Sequence, residues 1–152
     1  MNGKRIGNIG EAKVIAKFVE LGIPVYIPFG DNEREDLIIK VNNNLLKLQV
    51  KTSTVYQNGM TKFTLVCNRG YKVAYKTWYS EEDIDYFILY SLELDEIYMV
   101  HINDVIGQDT LCIRHLPVIS RQVKNINNSY DYLLENVIEH IYNNNQCADI
   151  AE

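Results

Sequence analysis

Residues 35–53 read EDLIIKVNNNLLKLQVKTS, two alternating runs on either side of Asn42-Asn43-Asn44. Asparagine tolerates the left-handed conformations of a tight type I′ turn, so the stretch predicts a hairpin. A turn centred on Asn43-Asn44 pairs Leu37 with Val50, Ile39 with Leu48 and Val41 with Leu46, which collects apolar residues on one face because opposed residues share a face. The other face then carries Asp36 opposite Lys51, Ile38 opposite Gln49 and Lys40 opposite Lys47. A slip of one residue would mix polar and apolar side chains on both faces. Asp36, Gln49 and Lys51 therefore project together, with Gln49 and Lys51 roughly 6.5–7 Å apart along the strand. That face is either a wet exterior or the wall of a cleft.

Upstream, helical spacing predicts a helix over about 8–21, stopped by Gly22 with Pro24 close behind. Val14, Ile15, Phe18 and Leu21 form its apolar stripe, and Glu11 falls inside that stripe, while Lys13, Lys17 and Glu20 lie opposite. Two readings of Glu11 stay open: an acid aimed at the core, or a first-turn acid that complements the helix dipole or caps a backbone N–H. IPVYIPF (23–29) reads as a short apolar strand, followed by a polar turn to residue 35. Downstream, DYFILYSL (85–92) and IYMVHI (97–102) read as strands. The segment 129–143 reads as a helix with Tyr130, Leu133, Leu134, Val137, Ile138 and Ile141 on one side, either closing the core or contacting another subunit. This order predicts an α/β (α+β) domain spanning 1–152, with a central mixed sheet flanked by helices.

At 152 residues and 47% hydrophobic content the chain can bury a substantial core. It has no apolar run long enough to span a bilayer and no apolar stretch near its start, so a cytoplasmic location with no membrane partner is expected. Cys67, Cys112 and Cys147 lack a C-x-x-C pair and read as reduced, incidental or core thiols; His101, His115 and His140 have no metal-ligand spacing. The net charge of −5 hides a segregation. Residues 81–96 carry seven acids and no base, whereas residues 61–80 carry Lys62, Arg69, Lys72 and Lys76 and no acid. A polyanion could be held by the second stretch; an exposed basic hairpin is the plainer alternative.

Glu11 on a helix, Asp36 at the head of one strand and Gln49-Val50-Lys51 on the next resemble the active-site pattern of the PD-(D/E)xK nucleases. The run G-x-x-G-E-A-K-V-I-A-x-F, then G-I-P-V-Y-I-P-F-G-D-N, the Asp36 strand and L-L-K-L-Q-V-K-T-S is similar to the small homing endonucleases of this fold encoded in group I introns. The likeness covers most of the chain, and its first 55 residues are the specific part.

The resemblance implies a restriction-endonuclease-like core and metal-dependent hydrolysis of double-stranded DNA at a long pseudo-palindromic site. It further implies a homo-oligomer, dimer or tetramer, in a bacterial or organellar setting. Mg²⁺, with Mn²⁺ as a substitute, would be held by Asp36, by Glu11 directly or through water, and by the Val50 carbonyl. Lys51 would orient or deprotonate the attacking water or stabilise the pentacovalent state. Gln49 stands at the usual third carboxylate position; its amide oxygen can ligate a hard cation but brings no charge, which predicts weaker metal affinity. DNA contacts are expected from Lys4 and Arg5, from a β-ribbon over 61–79 (Lys62, Arg69, Lys72, Tyr75, Lys76), and from Arg114, Arg121 and Lys124. Tyr71 and Trp78 belong either to that ribbon's DNA face or, as expected for Trp78, to core or interface packing. Two alternatives accompany this reading: a junction-resolvase-like or restriction-type nuclease with the same metal site, and a catalytically inactive DNA-binding protein.

Overall fold

Asn42 and Asn43 adopt φ of 48° and 65° and form the expected tight turn, one residue earlier than expected. Strands β2 (Leu37–Val41) and β3 (Asn44–Ser53) consequently pair Leu37 with Leu48, Ile39 with Leu46 and Val41 with Asn44. The register is thus two residues away from the predicted one. Both registers leave the faces unchanged, because side chains alternate with period two, and three successive asparagines offer two turn placements. The correction matters for chemistry: Asp36 lies across from Gln49 rather than Lys51. The structure, a computed structural model, describes residues 1–30, 32–69, 75–116 and 126–148, and the side chains of 68, 69 and 145–148 fall outside that description.

β3 runs parallel to β8 (Tyr86–Ser91), which pairs antiparallel with β9 (Glu96–His101); β1 (Val25–Tyr26) completes a mixed sheet of order β1-β2-β3-β8-β9. The strand expected over 23–29 shrinks to two residues, leaving Ile27 and Phe29 exposed. Pro24 and Pro28 flank β1, and neither can donate a ladder hydrogen bond.

Helix α1 (Gly3–Glu20) starts five residues before its predicted position, capped by the Asn2 side chain accepting from the Arg5 N–H at 2.9 Å. Glu11 therefore sits in mid-helix, which removes the capping and dipole reading. Val14 and Phe18 are fully buried against Leu37, Ile39, Leu48, Val50, Ile88 and Met99. Leu134 and Ile138 of α3 (Leu134–Ala148) enter the same cluster, so this helix closes the core. The predicted helix over 129–143 is broken after α2 (Ser129–Tyr132), where Leu133 is extended and bridges Tyr98.

The opposite face of the sheet meets a second, three-stranded sheet of β4 (Tyr56–Gln57), β5 (Met60–Thr64) and β10 (Thr110–Arg114). Phe63, Leu111 and Ile113 pack there on Phe87, Leu89, Tyr98 and Val100. A separate ribbon of β6 (Cys67–Arg69) and β7 (Tyr75–Thr77) follows, Cys67 pairing with Thr77 at its base. Among the described residues, no helix is long and apolar enough to cross a membrane.

Candidate active site

β2 begins at Leu37, and the Asp36 N–H still donates to the Leu48 carbonyl at 2.8 Å. Beyond Leu48, β3 has lost its neighbour on that side. The backbone groups of even-numbered β3 residues point to this uncovered edge, since those of one residue point the same way and successive residues alternate. The Asp36 carboxylate fills the gap: Oδ2 accepts from the Val50 N–H at 2.8 Å and from the Gln49 side-chain amide. That amide also donates to the Val50 carbonyl at 3.3 Å. The expected group of Asp36, Gln49 and Val50 thus meets at a strand edge, and its coherence comes from the end of β2.

The wall beside it is a cleft lined by Asn32, Glu33, Arg34, Asp36, Gln49, Lys51, Cys67 and Tyr79. Lys51 projects into it from the same face as Gln49, with Nζ 3.4 Å from the Tyr79 hydroxyl and 5.0 Å from that ring's centre. Glu11 is not among the residues that line this cleft. Its helix covers the opposite face of the sheet, yet its carboxyl is close enough to Asp36 to feel that charge. Close approach at Gly10 makes this possible: a Cβ there would fall 1.8 Å from Thr52 Oγ1.

Burial dominates the electrostatics. It raises Glu11, and the neighbouring Asp36 raises it further. Burial also raises Asp36, opposed by the Val50 N–H, Lys51 and Gln49. Lys51 is pushed down by burial, partly offset by Cys67 and Asp36, with Arg34 pushing in the same direction as burial. A divalent cation bound between the Asp36 and Glu11 carboxyls would offset the cost that burial places on each. Asp36, Glu11 and the edge-facing Val50 carbonyl are hard oxygen donors fitting Mg²⁺ or Mn²⁺. Gln49 fits only after turning its amide, because its N–H now faces Asp36. Among the described residues no three His, Cys, Asp or Glu side chains gather as a metal cluster, which leaves the two carboxylates dependent on neutral oxygens.

Arg34, Tyr79 and Cys67 had not been expected here. Arg34 precedes Asp36 by two residues, the spacing that puts side chains on one side of an extended chain; Tyr79 and Cys67 arrive from a distant segment and carry no local signal. Cys67 is accordingly a cleft residue rather than an incidental thiol. Trp78 lies outside the core of the chain: it is exposed, and its indole N–H donates to Asp109 at 2.9 Å. Lys76 is exposed and bonded to the same carboxylate at 2.7 Å. Lys4, Arg5, Lys62 and Tyr75 are exposed, and Arg114 is half-buried. Tyr71, Lys72, Arg121, Lys124 and the side chain of Arg69 lie outside the described residues.

A family model described as PD-(D/E)XK endonuclease matches residues 1–135. Among solved structures, that of a bacterial homing endonuclease, I-Ssp6803I, covers 97% of this chain and 97% of its own, with 24% sequence identity and a TM-score of 0.75. At that identity the likeness establishes the shared fold, including the mixed sheet and flanking helices. No curated protein matches the sequence.

Proposed function

The chain belongs to the PD-(D/E)XK endonuclease family, and from that premise we propose that it is a homing endonuclease cutting both strands of a long pseudo-palindromic DNA site. The observation that carries the catalytic reading is the strand-edge cluster of Asp36, Gln49 and Val50 beside Lys51. In this proposal Asp36, Glu11 and the Val50 carbonyl hold Mg²⁺ or Mn²⁺, with the Gln49 amide oxygen as a further ligand. A divalent cation would supply charge neutralisation at the phosphate and a more acidic water.

The chain's own groups do the rest. Asp36, fixed by the Val50 N–H, is held in one rotamer and needs no rearrangement when substrate enters. Lys51 presents Nζ to the cleft from a rigid strand, where it donates to a phosphate oxygen and offsets the charge that builds up on phosphorus. Its lowered proton affinity also eases proton exchange with the attacking water. A homo-oligomer, dimer or tetramer, supplies one cleft per strand, as the symmetry of a pseudo-palindrome requires. A group I intron origin accompanies this reading.

Long candidate duplexes, plasmids and branched DNA incubated with and without Mg²⁺ provide the test. Discrete double-strand cleavage at one long site is expected, and structure-selective nicking would instead indicate a resolvase-like enzyme. Asp36→Ala and Lys51→Ala should each abolish cutting while DNA retention persists, and cutting by purified Asp36→Ala protein would remove the proposed site. One observation favours a second reading, an inactive DNA-binding protein: Gln49 brings no charge and its amide occupies Asp36. Metal-independent retention of DNA by the wild type, with cutting gained in Gln49→Glu, would establish that reading.

A further inference from the structure

Arg34 is tied down by contacts that lead in two directions. Nη2 donates to the Trp78 carbonyl at 2.7 Å and lies 3.5 Å from Asp83 Oδ2, while Nη1 reaches Thr77 Oγ1 at 3.5 Å. Thr77 is the last residue of the β6–β7 ribbon, and its hydroxyl donates to the Cys67 carbonyl across the ribbon's base at 3.3 Å. In the other direction the guanidinium carbon sits 4.4 Å over the centre of the Tyr79 ring, the ring whose hydroxyl meets Lys51. Tyr79 is 8% exposed and locked edge-on against Phe87 at 5.3 Å, so it cannot follow Lys51 independently. Among the described residues the buried Arg34 Nε has no hydrogen-bond partner.

We propose that Arg34 is a positioning residue for the cutting step: it clamps Tyr79, and through it Lys51, to the base of the β6–β7 ribbon, so that the pose of the ribbon on DNA sets the pose of the lysine. The inference rests on the endonuclease reading above. Arg34 does its work through Tyr79 and touches neither the reacting phosphate nor the attacking water. Lysine cannot replace it, since an ammonium lacks the flat fork that bonds Trp78, Thr77 and Asp83 while lying on a ring.

The test compares wild type, Arg34→Gln, Arg34→Lys, Tyr79→Phe, Tyr79→Leu and Lys51→Ala in single-turnover cleavage and in DNA binding. Arg34→Gln should lower the cleavage rate by about 10- to 100-fold with DNA affinity and melting temperature near wild type, and Tyr79→Leu should lower it as much with DNA affinity near wild type but a reduced melting temperature, because its ring is buried against Phe87. The double variant should be no worse than the poorer single, as expected of residues in one chain of contacts. Arg34→Lys should fail to rescue, and Tyr79→Phe, which keeps the ring but loses the hydroxyl, should fall between. A weakened affinity with an unchanged rate in Arg34→Gln would overturn the proposal by making Arg34 a phosphate contact, and additive losses would overturn it by separating the two residues. NMR of the Lys51 side chain needs no cleavage. Its methylene protons should show an upfield ring shift from Tyr79 that is lost in Tyr79→Leu and diminished in Arg34→Gln, and an unaltered shift in Arg34→Gln would sink the clamp. Wild-type protein that binds but never cuts, with the ring shift behaving as expected, would discredit the endonuclease reading while leaving the clamp in place.

Discussion

Asp36 and Glu11 stand where carboxylates are least comfortable, both partly buried and Glu11 raised further by the charge of Asp36, and the fold retains both. Each binds its proton more tightly in the folded chain than in the unfolded one. Their contribution to stability is therefore fully present below the ordinary carboxylate range and is lost as pH rises through their raised folded values. At neutral pH without divalent cation, Asp36→Asn should raise the melting temperature while eliminating cleavage. An asparagine Oδ1 still accepts from the Val50 N–H, so only the charge is removed. Each kcal/mol gained moves the transition by roughly 2–4 °C in a chain of this size, which calorimetry resolves. The gain should shrink at acidic pH, and added Mg²⁺ should stabilise the wild type but not the variant. An Asp36→Asn protein less stable than wild type at neutral pH would mean that the carboxylate is a structural ligand of the strand edge. At this scale the sequence was informative where alternation places residues. Gln49 and Lys51 share a face by parity alone, but Tyr79 and Cys67 enter from a segment about thirty and sixteen residues away in sequence, and no local pattern encodes that meeting.

At the level of elements, α1 lies as low on β3 as it does only because residue 10 has no side chain. Gly10→Ala would place a methyl 1.8 Å from Thr52 Oγ1 and 3.1 Å from Thr52 Cβ, forcing the helix away from the strand. Among the described residues the buried Thr52 Oγ1 has no partner, so Thr52→Ala removes no hydrogen bond seen there. The expectation is a loss of about 1–3 kcal/mol for Gly10→Ala, with reduced cleavage. Thr52→Ala alone should be close to neutral, and the double variant should recover part of both losses. Denaturant melts and cleavage rates on the four proteins decide it; losses that simply add would show that the close approach is not what Gly10 provides. The hairpin was legible at this scale to within two residues, and the limit was physical: Asn42, Asn43 and Asn44 are near-equivalent turn formers, and two-residue slips keep every side chain on its face. The start of α1 was hidden by Gly3, Gly7 and Gly10, poor helix formers overridden by the Asn2 cap and by packing on the sheet. The break at Leu133 was hidden for the converse reason, because its place in an apolar helical stripe conceals an extended bridge to Tyr98.

For the molecule as a whole, the difficulty is how a chain of net charge −5 holds a polyanion. Segregated charge answers it only in part, since one cation of the basic stretch is already occupied. Lys76 is bonded to Asp109 at 2.7 Å, and the same carboxylate takes the Trp78 N–H at 2.9 Å, its proton affinity lowered first by Lys76 and then by Trp78. Asp109 precedes β10 and thus carries the acid onto the ribbon from a segment the sequence gives no reason to connect with it. Both partners are substantially exposed, so the pair contributes little to folding. Its consequence is for binding: a phosphate that seeks Lys76 must first displace Asp109. Asp109→Asn removes the competitor and one negative charge from the ribbon's base. It should tighten DNA binding at low salt and steepen the slope of log affinity against log salt by about 0.9, the increment for one added phosphate contact. Lys76→Ala should flatten that slope much less than Lys62→Ala, because Lys62 is exposed and, among the described residues, pairs with no acid. Salt titrations of duplex binding by the three variants give the comparison, and an Asp109→Asn protein that binds DNA more weakly than wild type would show instead that the carboxylate orients Lys76 and Trp78 for contact.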